Sequence, residues 1–390
     1  MAEALITPAM ISWARERAGL SCGDFASKLN VPDEKILAWE SGDARPTFKQ
    51  AEKIASVTHV PFGALFLDHP PREELPIPDL RTTVGAPPPD LDGDFRDALS
   101  DVLFKFEWFK DFRLEQGAKP RPYVGRFPAT APADTIVADI KKTLGYSVAN
   151  RLQAKNADDY LRVLVRLAED QGVWVLRNGV VGANNRRPLS AEVFRGFAVS
   201  DPVLPTVFIN GRDAPSAQVF TLIHEIAHIW LGKDGISNPF TAGGGRAAHA
   251  RLEKLCNSVA EQFLTPREEF LQTWRLEASM NENTFVCAKH FKVSGIVAAI
   301  RAKGLGLVEQ DDVNAFYRAE MQRWRRARDQ SEGGGDYYRT SNVRNGGPFV
   351  RAVLGSAMSG RLLLRDAGAL LNMKPKTLQK AYSLQVVGDA

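Results

Sequence analysis

The sequence predicts a mainly α-helical chain with one small α+β core and an N-terminal all-α helix-turn-helix module. Three observations carry this. Apolar residues recur at three- and four-residue spacing along most of the chain, which is helical periodicity. Runs rich in β-branched and aromatic residues are short and confined to VWVLR (173–177), FRGFAVS (194–200) and PTVFIN (205–210). A stretch dense in proline near residues 70–93 separates the N-terminal helical patterns from the rest.

The 390 residues correspond to two to four folded units. Hydrophobic residues make up 44% and charged residues 25%, which excludes wholesale disorder, a collagen-like repeat and a coiled-coil rod. No stretch approaches about 18 consecutive apolar residues, so no membrane partner is expected. The first twenty residues carry Glu3, Arg15, Glu16 and Arg17 instead of a basic start and an apolar run, so a cytoplasmic location is expected. Cys22, Cys256 and Cys287 have no paired spacing, which excludes a disulfide framework and a Cys-rich zinc site. Residues 318–390 hold 13 Lys/Arg against 6 Asp/Glu, while residues 1–317 hold 37 against 40, so any electrostatic footprint for nucleic acid lies near the C-terminus.

From Pro8 to Leu67 the pattern is a succession of short helices. Met10, Trp13 and Ala14 space like the stripe of a first helix that Gly19 can close. Ser21 can cap a second helix to about Leu29, with Phe25 and Ala26 inward. A third runs through Ile36, Leu37 and Trp39 to Gly42. The string ARERAGLSCGDFASKLNVPDEKILAWESGDARPT resembles the Xre/Cro-type helix-turn-helix family over about 60 residues, in Ala26, the Trp39-Glu40 pair, Gly42 and Pro46-Thr47. The resemblance implies DNA as a partner, with Asp33 to Ala38 in the major groove. The charges oppose it: Cys22 stands where many such domains carry a phosphate-binding Gln, Asp33 and Glu34 begin the third helix, and residues 1–70 hold 7 Lys/Arg against 9 Asp/Glu.

Pro70, Pro71, Pro76, Pro78, Pro87, Pro88 and Pro89 place a linker and domain boundary after the module. Beyond it, Phe95, Leu99, Val102, Leu103, Phe106, Phe109 and Phe112 predict one amphipathic helix over 94–116, ended by Gly117 and packed as core.

The sharpest signal is HEIAH, residues 224–228, within AQVFTLIHEIAHIWLG. Pro215 and Ser216 suit a helix start, Val219, Leu222, Ile223 and Ile226 form an apolar face, and Gly232 suits the end. On a helix, His224 and His228 lie one turn apart and can bind one Zn²⁺, while Glu225 projects to the side, placed to handle the proton of an attacking water. The apolar flanks would bury two histidines and a carboxylate at a cost unless a metal or hydrogen bonds compensated them. This pattern points to metal-assisted hydrolysis with zinc as cofactor.

A catalytic zinc needs a third protein ligand. Asp234, His249, Glu253 and Glu261 are the nearby choices. Residues 247–264 pattern as a second helix with the stripe Leu252, Cys256, Val259 and Phe263; Glu253, Asn257 and Ala260 adjoin that stripe on one face. Glu253 is the best candidate, and Asn257 can accept a hydrogen bond from a ring nitrogen of His224 or His228. Asp234 and His249 flank the glycine-rich 243–245 and rank lower.

HEIAHIWLG followed by LEKLCNSVAEQFLTP closely resembles the ImmA/IrrE family of zinc metallopeptidases, in His224, Glu225, His228, Glu253, Asn257, Ala260, Leu264 and Pro266. The Xre-like module, IPDLRTT (77–83) and FAVSDPVLPTVFIN (197–210) look like the long members of that family, so the resemblance covers roughly residues 8–310. It implies a zincin-like peptidase core of gluzincin type that cleaves a regulatory protein, a helix-turn-helix repressor or antitoxin, in stress, phage or mobile-element control. The alternative is a DNA-binding transcription regulator whose zinc site is structural or inactive. Beside the resemblance, an edge strand near the zinc helix would align an extended substrate by strand addition. His249, Tyr337 and Tyr338 are conceivable oxyanion donors.

AKHFKVSGIVAAIRAKGLGLV (288–308) carries helix, turn and helix signals, read either as packing or as DNA contact. RWRRAR (323–328), SEGGGDYYRTSNVRNGG (331–347) and RDAGALLNMKPKTLQKAY (365–382) carry the basic surplus, which leaves nucleic-acid or acidic-partner binding open. The expected organisation is a helix-turn-helix module (1–70), a Pro-rich linker and long helix (71–130), a peptidase domain (131–266), a small helical, winged-helix-like element (267–325) and a basic C-terminal region (326–390). The oligomeric state is not encoded in any of these patterns.

Overall fold

The structure, a computed structural model, describes residues 3–71, 93–237, 247–328 and 337–388. The proline-rich stretch, IPDLRTT and the glycines at 243–245 lie outside the described residues. The chain divides into one unit of residues 1–76 and 90–100 and a second of residues 77–89 and 101–390.

The first unit is built from α1 (Pro8–Arg17), α2 (Cys22–Leu29), α3 (Asp33–Ser41) and α4 (Phe48–Thr58), followed by a 3-10 turn over Phe62–Phe66. Ser21 accepts a hydrogen bond from the Asp24 N–H, and Thr47 with Gln50 forms a reciprocal cap, so both helix starts satisfy their orphan donors locally. Phe25, Ala26, Ile36 and Trp39 are fully buried in a shared core, whereas Leu37 is 58% exposed. The helix α5 (Gly93–Glu115) begins in this unit, where Asp97 pairs with Arg17 at 2.7 Å, and continues into the second.

In the second unit the α5 stripe is core, as expected: Val102, Phe106 and Phe109 are buried, with Phe109 edge-on to Trp174. Helices α6 (Ala133–Leu144), α7 (Val148–Gln153) and α8 (Ala157–Asp170) precede the strands β1 (Trp174–Asn178), β2 (Val180–Val181), β3 (Asn184–Pro188), β4 (Gly196–Val199) and β5 (Thr206–Asn210). Then come α9 (Pro215–Leu231), β6 (Gly235–Ser237), α10 (Ala247–Leu264), α11 (Arg267–Thr273), α12 (Met280–Phe291) and α13 (Gly295–Gly304). The chain finishes with α14 (Gln310–Arg328), α15 (Tyr337–Asn345), α16 (Gly347–Met358), α17 (Leu364–Leu371) and α18 (Pro375–Gly388). The main sheet has the order β1-β5-β4-β6, with β1 and β5 parallel and the other pairs antiparallel; β2 and β3 form a separate hairpin. The fold is therefore mainly helical with a small α+β core. No helix among the described residues is long and apolar enough to cross a membrane.

Residues 345–349 key the C-terminal helices onto β1. Trp174 Nε1 donates to the Asn345 carbonyl at 2.8 Å, and Phe349 packs on Trp108, Phe109 and Trp174. Gly346 has φ 77°, and a β-carbon there would meet the Trp174 ring at 2.7 Å, so only glycine fits. Beside this key, burial pushes the Glu169 carboxyl up to about 7 against the pull of Arg351 and of the Gly347 N–H. A carboxyl raised above its ordinary 4.5 binds its proton more tightly when folded, so stability should fall as pH rises between about 4.5 and about 7. Glu169→Gln should therefore be more stable than the parent by about 1–3 kcal/mol at pH 8 and equal to it below about pH 4.5. Thermal melts at the two pH values check this, and an advantage that persists at low pH would refute it.

Candidate metal centre

Every residue of α9 from Ala217 to Leu231 is buried, which makes this helix the axis of the core rather than a surface helix with one wet face. Its start is fixed by a buried ion pair: Arg195, just before β4, bonds Asp213, whose other oxygen accepts the Ala214 N–H. Burial pushes the Asp213 carboxyl up, opposed by Arg195. Its end is fixed by Gly232 at φ 61° and by a loop that satisfies the last carbonyls. Gly125 N donates to Ile229 O at 2.9 Å and Phe127 N to Trp230 O at 3.1 Å. Trp230 in turn stacks on Tyr123 at 4.4 Å and donates to Asp139.

On this rigid helix His224 and His228 point their Nε2 atoms at one spot, 3.2 Å apart. From α10, Glu253 brings Oε2 to 3.3 Å from His224 Nε2 and Oε1 to 3.2 Å from His228 Nε2. Leu252, Cys256, Val259 and Phe263 are buried, which is the stripe expected of α10 and the reason Glu253 faces α9. Among the described residues this trio is the one group of three His, Cys, Asp or Glu side chains whose ligand atoms converge. Ligands at about 2.0–2.1 Å from a tetrahedral ion stand about 3.3–3.4 Å from one another. The two ring nitrogens are 3.2 Å apart and each has its own Glu253 oxygen at a similar distance, so the cluster is of a size that suits such an ion. Three lone-pair donors aimed at one buried point are unfavourable unless a proton or a cation sits among them. Accordingly, burial opposes charging His228, yet the Cys256 thiol and Glu253 raise its pKa well above the ordinary value. Burial pushes Glu253 up, but hydrogen bonds to His224 and His228 win and draw it down to about 2. A cluster that favours a proton at that point is equally suited to a divalent cation.

The other ligand choices point elsewhere. Asp234 Oδ1 accepts the Ser200 N–H at 2.5 Å, and Glu261, raised by burial, faces Arg301 and Lys303. The side chain of His249, like those of Tyr337 and Tyr338, lies outside the described residues. The expected hydrogen bond from Asn257 to an imidazole is not made: Asn257 Oδ1 and His224 Nδ1 are both buried without a partner.

Two features escape sequence reasoning. Glu225 is fully buried, with its carboxylate against β4 at Gly196. A β-carbon there would lie 2.9 Å from Glu225 Oε1, 2.7 Å from Thr221 Cγ2 and 2.8 Å from the Phe208 carbonyl, so any side chain at 196 would displace the acid or the sheet. The isolated glycine in FRGFAVS was the available signal. The second is the sheet order: β4, the strand against the site, is flanked on both sides, and β1 and β6 are the sheet's edges. Strand addition beside the site would have to use β6.

Comparison with known families follows the same geometry. Residues 168–303 match the peptidase family model described as an IrrE N-terminal-like domain. This segment contains α9, α10 and all three converging side chains, and it runs on through α13. Residues 11–65 match a helix-turn-helix model, and residues 345–383 match a domain of unknown function. No curated protein and no solved structure matched the chain. An IrrE N-terminal-like peptidase domain and a helix-turn-helix domain in one chain make a protease and regulator architecture, with the metal cluster inside the peptidase part.

Proposed function

We propose that the protein is a zinc-dependent endopeptidase that cleaves a specific regulatory protein, a helix-turn-helix repressor or antitoxin. The observation that supports it best is the convergence of His224, His228 and Glu253 beside the buried Glu225. His224, His228 and Glu253 would hold the zinc, which when bound supplies Lewis acidity to the scissile carbonyl and to water. Glu225 would remove the proton of the attacking water and deliver it to the leaving amine. Its burial favours that role, since an acid out of bulk water exchanges its proton with the reactants rather than with solvent. Gly196 leaves the room in which this carboxylate turns. Asn257 would take a hydrogen bond from an imidazole once the rings are drawn onto the ion.

The alternative, a DNA-binding regulator with a structural or inactive zinc site, draws support from the helix-turn-helix match over 11–65. It leaves Glu225 without a task, because a closed structural site takes a fourth ligand instead of an adjacent acid. The deciding experiment treats an extract of the source cells with zinc-loaded protein and with protein stripped by a chelator, and reads new protein N-termini by mass spectrometry. A short list of new termini that vanishes on stripping and returns with zinc is expected. The same list from stripped and loaded protein would sink the reading.

A further inference from the structure

Among the described residues, two later helix pairs share the spacing of the helix-turn-helix matched at residues 11–65: the first helix ends at residue 29, 291 or 371 and the second starts four residues on. The cap that closes each turn is one that many helix ends of this chain make, after Gly19, His59 and Gly145 among others. Between α2 and α3, Asn30 sits in the left-handed region at φ 58° and the next residue, Val31, donates to Ala26 O at 3.0 Å. Between α12 and α13, Lys292 has φ 58° and Val293 donates to Ala288 O at 3.1 Å. Between α17 and α18, Asn372 has φ 51° and Met373 donates to Gly368 O at 2.9 Å. Counted from the turn residue, the buried Leu29, Ile36 and Trp39 of the first copy correspond to the buried Leu371, Leu378 and Ala381 of the third. Both first helices are 8 residues long. Gly368 keeps the third turn tight, since a β-carbon there would meet Met373 O at 2.8 Å. The shared spacing and buried positions, rather than the turn bond, make α17 and α18 a helix-turn-helix, and the start of its second helix faces outward as in major-groove readers.

What each copy presents differs. The start of α3 offers exposed Asp33 and Glu34, which phosphates repel. The start of α13 is covered, for a β-carbon at Gly295 would lie 3.1 Å from the Phe316 ring of α14. Of the two readings of residues 288–308, this contact supports packing. The third copy is exposed and basic: Lys374, Lys376, Gln379 and Lys380 are all on the surface, and residues 345–383 hold six Lys/Arg against the single Asp366. Its turn is also held firmly. Asn372 Nδ2 donates to both oxygens of Asp101 on α5, at 3.1 and 3.3 Å, and the β2–β3 hairpin abuts it at Gly182 and carries exposed Arg186.

We propose that α17 and α18 are the chain's DNA-binding element. Lys374, Lys376 and Lys380 contact phosphates, and Gln379, whose amide can pair with an adenine edge, faces the major groove of duplex DNA. This rests on the C-terminal helices alone and stands whether or not the metal centre is catalytic. The test uses the full-length protein and a short fluorescent duplex of mixed sequence, with anisotropy followed over a salt series. Changing Lys374, Lys376 and Lys380 together to Ala should weaken binding about tenfold or more at low salt and lower the salt slope by about 2–3. Changing Asp33 and Glu34 to Ala should leave affinity undiminished. The three lysines are exposed, so the melting temperature should not move. Equal binding by the triple variant and the parent would overturn the proposal, and so would binding only to single strands or to RNA.

Discussion

Glu225→Gln should retain about one zinc per chain and the parent's melting temperature, yet cleave the target at least about 100-fold more slowly. The amide keeps the shape of the carboxylate in its slot against Gly196, and it leaves His224, His228 and Glu253 in place. Lost activity therefore cannot be blamed on lost metal. What the amide cannot do is accept a proton from water and return it to the leaving amine, and removal of such a group typically costs about 10²–10⁴ in rate. The measurement is a time course on a substrate found through its new N-termini, with metal analysis on the same samples. If parent and variant cut equally fast, Glu225 is not the base and the mechanism drawn here fails.

Metal content is the second large effect. The parent should bind about one zinc per chain, and His224→Ala, His228→Ala and Glu253→Ala should each lose most of it under the same dialysis. Each variant leaves two ligands, and the binding energy of a complete site is large, of order 10 kcal/mol in small zinc proteins, so the loss of one anchor is felt as a steep drop in occupancy. The histidine variants also open space in the centre of the core, since both rings are fully buried, whereas Glu253 is partly exposed on α10. Glu253→Ala should thus separate metal loss from fold loss most cleanly: full zinc in that variant would mean that the third ligand is another residue.

The site was legible because its parts are local. HEIAH lies within one helix whose boundaries are written by Pro215 and Gly232, and Glu253 could be selected because the α10 stripe fixes which face meets α9. The long α5 was legible from its helical period, and β1, β4 and β5 from short runs rich in β-branched and aromatic residues that are buried on both faces. What went unseen depends on distant partners. The strand β6 is three residues long and exists only through pairing with β4. Lys105 sits on a helix face that reads as apolar, and is buried there because Asp101 at 2.6 Å and Asn345 at 2.9 Å from the far end of the chain receive its charge. Burial nevertheless lowers its pKa, with Asp101 opposing. The helix pair α17 and α18 went unseen because RDAGALLNMKPKTLQKAY lacks the Trp-Glu pair, the closing glycine and the Pro-Thr that marked the first module, and so it read only as a carrier of the basic surplus.

The capped, fully buried α9 has a consequence for control. Segments that open readily are those with few buried contacts and exposed backbone hydrogen bonds, and this helix has neither. Its amide protons should therefore be among the slowest in the chain to exchange with solvent, and the two histidines should stay together through local openings of the fold. An effector that switched the enzyme by pulling its metal site open would have to supply the stability of the entire domain. Under the proposed function, restraint would then act on what reaches His224, His228 and Glu253, since their seat on α9 and α10 is part of the core.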